Sequence, residues 1–198
     1  AFKRFDLLAP GFAFASSIAL VAGLCVLAVV QNSRTLAVLG ILAGFMAPLW
    51  LSTGSGNHVG LFSYYAVLNA GIFVIAWYRP WRVLNLLGFA FTFGIGTFWG
   101  VLQYDAAKFA STEPFLLLFF AFYLLIPLLY ARRQPAGRRD LVDGSLVFGT
   151  PLVAFSLQAG MLHEQPMTLA LCALGLAAIY AVLARALIAR ASYTVLAQ

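Results

Sequence analysis

Long runs of apolar residues alternate along this chain with short polar connectors. The clearest run follows the letters YRPWR and continues from about residue 83 to 104 without one charged residue. A helix that crosses a bilayer needs about 20 consecutive apolar residues, and most of the runs approach or reach that length. The pattern therefore predicts an all-α integral membrane protein, a polytopic bundle of about seven transmembrane helices.

The predicted spans occupy about residues 11–31, 35–52, 59–78, 83–104, 115–131, 141–161 and 166–189. Since the connectors are short, neighbouring helices are expected to be antiparallel. Pro48 is expected to kink or terminate the second span. We interpret residues 1–198 as a single transmembrane domain. Because Ala1 is not a methionine and no signal peptide follows it, we expect a longer parent chain.

Composition excludes a soluble domain. The chain is 63% hydrophobic and 9% charged, with a mean hydropathy of +0.95, whereas soluble domains carry about 25% charged residues. The net charge is +6, and the basic residues lie in the connectors. Basic residues in such positions set the membrane topology and contact lipid headgroups, so we do not expect nucleic acid as a partner. The expected partners are membrane lipids, other membrane subunits and the rest of the parent chain. Cys25 and Cys172 lie in apolar runs, as buried thiols do.

The cations are unevenly distributed between the two predicted sides of the membrane. Lys3, Arg4 and Lys108 fall on one side, and the remaining nine of the twelve cations fall on the other. The positive-inside rule assigns the cation-rich side to the cytoplasm of a bacterial inner membrane. Ala1 is then outside and Gln198 cytoplasmic. If the second span were re-entrant, the orientation of the segment before it would invert.

Two kinds of residue are predicted to hold the helices in place. Residues expected to anchor the fourth span at the membrane interfaces are Arg79, Trp81, Arg82 and Trp99. Small-x-x-x-small spacing lets helix backbones approach closely, and it occurs at Gly40 and Gly44 and again at Gly96 and Gly100. Static packing is the favoured interpretation of these glycines, and a moving helix seam is the alternative.

Besides Gln103 at the end of the fourth span, three amides lie within the spans, namely Asn69, Asn85 and Gln158. An amide in hydrocarbon must find hydrogen-bond partners, so these side chains are expected to face other helices. They are candidates for lining a polar pathway, with bonding between helices as the favoured alternative. No charged residue lies in the middle of a predicted span, and Asp143 is the borderline case. That argues against proton-coupled transport.

The sequence contains no motif typical of a hydrolase or a nucleotide site, and it predicts no catalytic residue, cofactor or metal. His58 and His163 share a predicted side with Asp105 and Glu164, so an acid–base or metal site there is an alternative to plain solvation. The loop TGSGNH is interpreted as a turn, with an anion-binding nest as the alternative.

A short motif recurs. FMAPL at 45–49 and FGTPL at 148–152 share Phe-x-x-Pro-Leu in helices predicted to run in the same direction. Parallel repeats are common in transporters, although so short a match also arises by chance.

Three segments carry a family resemblance. They are STGSGNHVGLFSYYAVLNAGIFVIAWYRPWRVLNLLGFAFTFGIGTFWG at 52–100, TEPFLLLFF at 112–120 and VDGSLVFGTPLVAFSLQAG at 142–160. They resemble the large bacterial predicted membrane proteins of domain-of-unknown-function family 2339. The likeness covers most of residues 34–160. It implies a multi-pass inner-membrane protein with more spans than are present here, and it supplies no catalytic or ligand residue.

Three functions fit these observations. The first is transport or binding of a hydrophobic or envelope-related molecule, favoured by proline-interrupted spans, glycine-rich seams and uncharged amides. The second is a structural scaffold for a membrane complex. The third is a membrane-embedded enzyme that acts on a lipid-linked substrate through the histidines and acidic residues of the outer side.

Overall fold

The computed structural model describes residues 10–51, 57–133 and 141–196, which form seven α-helices joined by short connectors. The helices are α1 (Pro10–Val30), α2 (Arg34–Leu51), α3 (His58–Tyr78), α4 (Arg82–Gln103), α5 (Phe109–Arg133), α6 (Leu141–Met161) and α7 (Pro166–Leu196). A single 3₁₀ turn, Ala106–Lys108, precedes α5. Predictions for both chain termini, for the start of the TGSGNH loop and for most of the connector RRQPAGRRD concern residues outside these ranges.

Helices α3 to α7 are each long and apolar enough to cross a membrane by length and composition. The first two helices contribute shorter apolar stretches, Ala15–Val30 and Arg34–Pro48. No strand occurs in the described residues. The prediction of an all-α membrane helix bundle is confirmed.

Local signals between α1 and α2 produce a tight reversal of the chain. Asn32 adopts a left-handed conformation with φ of 52°, which asparagine tolerates better than most residues. The Ser33 N–H then donates to the Ala28 carbonyl at 2.9 Å and closes the end of α1. The Ser33 hydroxyl accepts from the Leu36 N–H at 3.3 Å and thereby caps α2.

Two predicted boundaries differ from the structure by more than two residues: the start of α5, and the end of α7, which continues to Leu196 beyond the predicted 189. Helix α5 begins at Phe109, well before the predicted 115, so Glu113 lies inside a helix and not in a connector. Helix α2 continues past Pro48 to Leu51. A proline leaves the carbonyl four residues earlier without its donor. Here the Tyr64 hydroxyl of α3 donates to the Gly44 carbonyl at 2.9 Å and supplies the missing bond.

The same device occurs in the second Phe-x-x-Pro-Leu motif. Pro151 lies inside α6, and the carbonyl four residues before it, that of Val147, accepts from the Tyr180 hydroxyl of α7 at 2.8 Å. In both motifs a tyrosine of the following helix satisfies the carbonyl that the proline leaves free. Such compensation is what allows proline inside a membrane helix.

Helices α3 and α4 form the centre of the bundle. Helix α3 packs against α1, α2, α4 and α5, and α4 packs against α2, α3, α5 and α6. Helix α7 packs on α6, and none of its membrane-length window is buried. The described part of the chain is therefore a compact core of helices with one peripheral helix.

Helices α2, α4 and α6 run in the same direction. Phe45 of α2 stacks on Phe91 of α4 with ring centroids 5.5 Å apart, at matching depths along the two helices. The ends of α4 and α6 also coincide, because the Tyr104 hydroxyl donates to the Met161 carbonyl at 3.5 Å. The C-terminal ends of these three helices thus lie at one end of the bundle.

Candidate functional site

A hydrogen-bonded cluster of polar side chains lies at the centre of the bundle. Asn69 of α3 donates from Nδ2 to the Tyr65 carbonyl at 2.8 Å and to Thr92 Oγ1 of α4 at 2.8 Å. Its Oδ1 accepts from the Tyr123 hydroxyl of α5 and lies 3.2 Å from Thr92 Oγ1. Asn69, Thr92 and Tyr123 are each at most 2% exposed. The cluster therefore ties three helices together.

This arrangement leaves Asn69 little capacity for a ligand. Both N–H groups and the carbonyl of its amide are engaged within the protein. Asn85 is also buried, at 1% exposure, in the first turn of α4. Asn69 and Asn85 are absent from the lining of the two cavities described below. The bond from Asn69 to Thr92 joins two helices, so Asn69 makes an interhelical contact of the kind given above as the alternative to a polar pathway.

A cavity of about 630 Å³ lies between α4 and α6, with α5 as its back wall. Pockets that hold small molecules commonly measure about 300–1,000 Å³. Most of its lining is apolar, and aromatic rings contribute much of it: Phe62, Phe93, Trp99, Tyr104, Phe115 and Phe119. The only polar lining side chains besides the Trp99 and Tyr104 rings are hydroxyls, those of Thr92, Thr97, Thr112 and Ser156. We call this space the lateral cavity.

The lateral cavity is a window between two parallel helices that meet at both of its ends. At one end a β-carbon placed on Gly149 of α6 would lie 3.7 Å from Phe89 Cζ of α4. At the other end Tyr104 contacts Met161, as described above. The opening lies between Val101 and Leu152, which are 81% and 70% exposed. Apolar side chains of a membrane helix that are so highly exposed face lipid, so the window opens to the bilayer.

The glycines of α4 and α6 make the lateral cavity wide. A β-carbon placed on Gly96, Gly100 or Gly160 would meet no heavy atom within 4 Å, and all three residues line the space. The spacing of Gly96 and Gly100 predicts close approach of another helix, but no described helix lies against them. Their missing side chains leave room instead.

The other predicted pair of packing glycines does contact neighbouring helices. A β-carbon on Gly40 would lie 3.4 Å from Leu24 Cβ of α1. One on Gly44 would lie 3.2 Å from Val21 of α1 and 3.2 Å from Leu68 of α3. The same sequence spacing thus accompanies close packing in α2 and an open wall in α4.

Trp99 lies among other rings at the end of the lateral cavity nearest Tyr104 and Met161. We call this end the mouth, as distinct from the lateral opening between Val101 and Leu152. Trp99 stacks on His58 with centroids 5.1 Å apart and meets Phe62 edge-on at 5.1 Å. The Lys108 ammonium lies 5.7 Å from the Trp99 centroid, within cation–π range. Tyr104 is also nearby, at 6.5 Å between centroids. The predicted interface anchor is therefore part of an aromatic cluster that frames the mouth.

Burial, and after it the negative charges of Glu113 and Asp105, raises the pKa of Tyr104. A tyrosine hydroxyl is protonated at neutral pH even at its ordinary pKa, so the raised pKa leaves Tyr104 as the hydrogen-bond donor to the Met161 carbonyl. The bond between Tyr104 and Met161 joins α4 to α6 at this end of the lateral cavity.

Gln158 makes a polar contact behind the cavity wall. Its Nε2 donates to Glu113 Oε1 at 2.8 Å and lies 3.9 Å from Cys172 Sγ. These contacts join α5, α6 and α7. The contact of Glu113 was not predicted, because the letters STEP are typical of a connector. The sequence did hold one signal for a helix here, since Thr112 and Glu113 lie only two or three residues before an unbroken apolar run. Cys25 and Cys172 are free thiols of intermediate burial.

The two histidines have separate partners and do not form one site. His58 Nε2 lies 2.7 Å from Ser111 Oγ. His163 is exposed; its Nε2 lies 3.6 Å from Glu164 Oε1 and its Nδ1 lies 3.3 Å from the Gly160 carbonyl oxygen. Neither lines the lateral cavity, and the described residues contain no group of three or more His, Cys, Asp and Glu that could hold a metal ion. An arrangement for acid–base chemistry is therefore not assembled in this part of the chain.

The remaining predicted anchors lie at the opposite end of α4. Trp81 is only 6% exposed, so its ring is packed within the protein. Arg79 is extended and precedes Pro80, where α3 ends. Arg82 begins α4.

Comparison with known proteins gives a family and no closer relative. No curated protein and no solved structure matches the chain. The family model described as predicted membrane protein DUF2339 matches residues 1–198, the whole of the sequence. The chain therefore belongs to the DUF2339 family of predicted membrane proteins.

Proposed function

We propose that this protein binds an apolar chain of a lipid-like, envelope-related molecule in the lateral cavity, as a binding or transport step within the membrane. The single observation that carries this proposal is a space of about 630 Å³, lined by apolar groups and open to the bilayer. Its width depends on Gly96, Gly100 and Gly160, which face no neighbouring atom within 4 Å.

The chemistry of the lining favours a chain over a polar solute. Three of the four hydroxyls are already engaged: Thr92 bonds to Asn69, Thr97 donates to the Phe93 carbonyl at 2.7 Å, and Ser156 donates to the Leu152 carbonyl at 2.7 Å. A sugar or an ion in the cavity would leave polar groups unpaired, which is costly. An alkyl or isoprenoid chain requires no such partners. It would enter sideways between Val101 and Leu152.

The mouth suits the polar end of an amphiphile. Lys108, Tyr104 and the ring of Trp99 lie there, next to the connector that follows α4. A cation near the headgroup region attracts anionic groups. The proposed ligand thus lies with its chain between α4 and α6 and its polar end near Lys108.

Filling the lateral cavity tests the proposal. Gly96→Leu and Gly160→Leu should reduce photocrosslinking by a lipid with a diazirine in its acyl chain, measured on the purified full-length protein in nanodiscs. Sharing the space with a new leucine side chain costs the ligand about 1–3 kcal/mol, so labelling of the cavity walls should fall at least about fivefold.

Gly94→Leu is the matched control. Gly94 lies on the same helix, is exposed, and also has no atom within 4 Å of a β-carbon, but it does not line the cavity. Its substitution should leave labelling of the cavity walls unchanged. Equal labelling in all four proteins, or equal loss in all three variants, would refute binding in the lateral cavity.

We also propose that the mouth faces away from the cytoplasm, in an inner membrane. Support comes from the charges of the described residues. Arg34, Arg79 and Arg82 lie at one end of the bundle, whereas Lys108 shares the other end with acidic residues. A Glu164→Cys variant should react with an impermeant thiol reagent added outside intact cells. A Gly137→Cys variant should react only after the cells are opened, and the reverse result would invert the topology.

A scaffold role is the second candidate, favoured by α7. This helix packs on α6, and none of its membrane-length window is buried. A helix so weakly covered is suited to contact other helices of a membrane complex. If cavity-filling variants retain lipid labelling while substitutions on α7 release partner subunits, the scaffold is the better account.

A further inference from the structure

A second cavity, of about 500 Å³, lies at the end of the bundle opposite the mouth of the lateral cavity. It is formed by the first turns of α2 and α4 together with the Pro80–Trp81 connector. Its cationic lining residues are Arg34 and Arg82. We call it the arginine cavity.

Both helices present their N-terminal ends to this cavity. Arg34 is the first residue of α2 and Arg82 the first of α4. The N-cap residue of α4 is Trp81, which makes no side-chain capping bond to the first-turn N–H groups. The positive end of a helix dipole favours an anion, and the guanidinium groups of Arg34 and Arg82 add full charges that bind phosphate through paired hydrogen bonds.

Apart from Thr35, the rest of the lining is largely apolar. Val38, Leu39 and Val83 line the cavity beside the arginines, and Leu39 and Val83 are each 58% exposed. Exposed apolar side chains on membrane helices contact lipid tails. The cavity therefore offers a cationic end joined directly to a lipid-facing apolar flank, which matches the shape of a phospholipid better than that of a free anion.

We infer that the arginine cavity binds the phosphate of an anionic phospholipid, with the first part of an acyl chain against Leu39 and Val83. This site is separate from the lateral cavity and does not depend on the ligand proposed there. A lipid held at this point would bridge α2 and α4, whose contact also includes the Phe45–Phe91 stack.

The test uses the purified full-length protein in mixed micelles with phosphatidylglycerol, with phosphatidylcholine, or with inorganic phosphate. Retention of lipid is measured by native mass spectrometry. Arg34→Gln is the main variant, because Arg34 is exposed and its loss should leave the fold intact. Each cationic contact contributes about a fivefold gain in affinity for an anionic lipid, so Arg34→Gln should weaken phosphatidylglycerol binding about fivefold. Arg34→Lys should restore part of it.

Arg79→Gln is the matched control, since Arg79 lies at the same end of the bundle but does not line the cavity. The inference requires that this variant bind phosphatidylglycerol like the wild type and that phosphatidylcholine bind more weakly to both. Equal weakening by Arg79→Gln would mean a general effect of charge and would overturn the site. Inorganic phosphate that displaced the lipid at millimolar concentration would show a site for free anions and would overturn the lipid assignment. Because the two cavities are separate, the photocrosslinking result for Gly96→Leu tests the lateral cavity alone and does not affect the test of the arginine cavity.

Discussion

The two halves of α4 have similar compositions and opposite surroundings. In the first half, a β-carbon on Gly88 would lie 2.5 Å from Ile72 Cδ1 and 2.5 Å from the Tyr123 hydroxyl oxygen. In the second half, Gly96 and Gly100 face open space. Glycine therefore serves close approach at one end of the helix and cavity volume at the other. What lies opposite a glycine decides its role, and spacing along the sequence does not.

The border between the two halves lies near Thr92. This residue bonds to Asn69 on one side and lines the lateral cavity on the other. Below it, the Asn69–Thr92–Tyr123 cluster and Gly88 hold α3, α4 and α5 together. Above it, α4 and α6 separate until Tyr104 meets Met161. The polar cluster thus acts as the rigid floor of the proposed lipid site.

The largest effect is expected from Gly88→Ala. The new methyl group would overlap Tyr123, whose hydroxyl is fixed by Asn69. Overpacking of this kind costs about 1–3 kcal/mol of folding free energy. Unfolding in a defined detergent measures it, and Gly94→Ala, with no atom within 4 Å, is the control. A Gly88→Ala protein as stable as that control would contradict the packed description of the first half.

Asn69→Leu should have the next largest effect. It removes bonds to Tyr65, Thr92 and Tyr123 and leaves two buried hydroxyls without their partner. Interhelical hydrogen bonds in membranes average about 0.6 kcal/mol, with a maximum near 1.7, so a loss of about 1–2 kcal/mol is expected. In the Asn69→Leu background, Tyr123→Phe should cost little more. Fully additive costs would show that the two side chains do not act together.

A smaller effect is expected from Gln158→Leu. It deprives Glu113 of its hydrogen-bond donor at the back of the cavity wall. The expected cost is about 0.6 kcal/mol. In the Glu113→Gln protein, the Gln158→Leu substitution should cost less, because no charge is left without a partner. An equal cost in both backgrounds would indicate that the contact contributes nothing.

The smallest effect is expected from Gly100→Ala. The added methyl group meets nothing within 4 Å, and alanine stabilises a helix by roughly 0.5–1 kcal/mol relative to glycine. The melting temperature should therefore stay constant or rise slightly. A marked loss of stability would place a helix against Gly100 and remove the distinction between the two halves.

Apolar run length and polar connectors predicted most helix ends to within one or two residues. The start of α5 was missed because Pro114 and the surrounding polar letters are typical of a connector, yet proline is accepted early in this helix. The predicted span 35–52 already extended beyond Pro48, but the bond from Tyr64 of another helix to the carbonyl that Pro48 leaves free could not be predicted. The apolar pattern of a sequence describes one helix at a time and does not identify hydrogen-bond partners on neighbouring helices.

The candidate site was less predictable than the fold, for the same reason. The sequence identified Asn69, Gly96 and Gly100 as special positions, but their neighbours decide whether they bond, pack or leave space. Glycine spacing is identical at Gly40 and at Gly96, and only the surrounding helices distinguish the two. The lateral cavity arises from the separation of α4 and α6, which no local pattern encodes.

The most direct test of the lateral cavity is an experimental structure of the full-length protein in lipid nanodiscs. The account predicts elongated density between Gly96 and Gly160, running from the Val101–Leu152 opening toward Phe93. It also predicts that α4 and α6 remain in contact only at Phe89–Gly149 and Tyr104–Met161. A structure in which these two helices touch along their whole length, with no density between them, would contradict it.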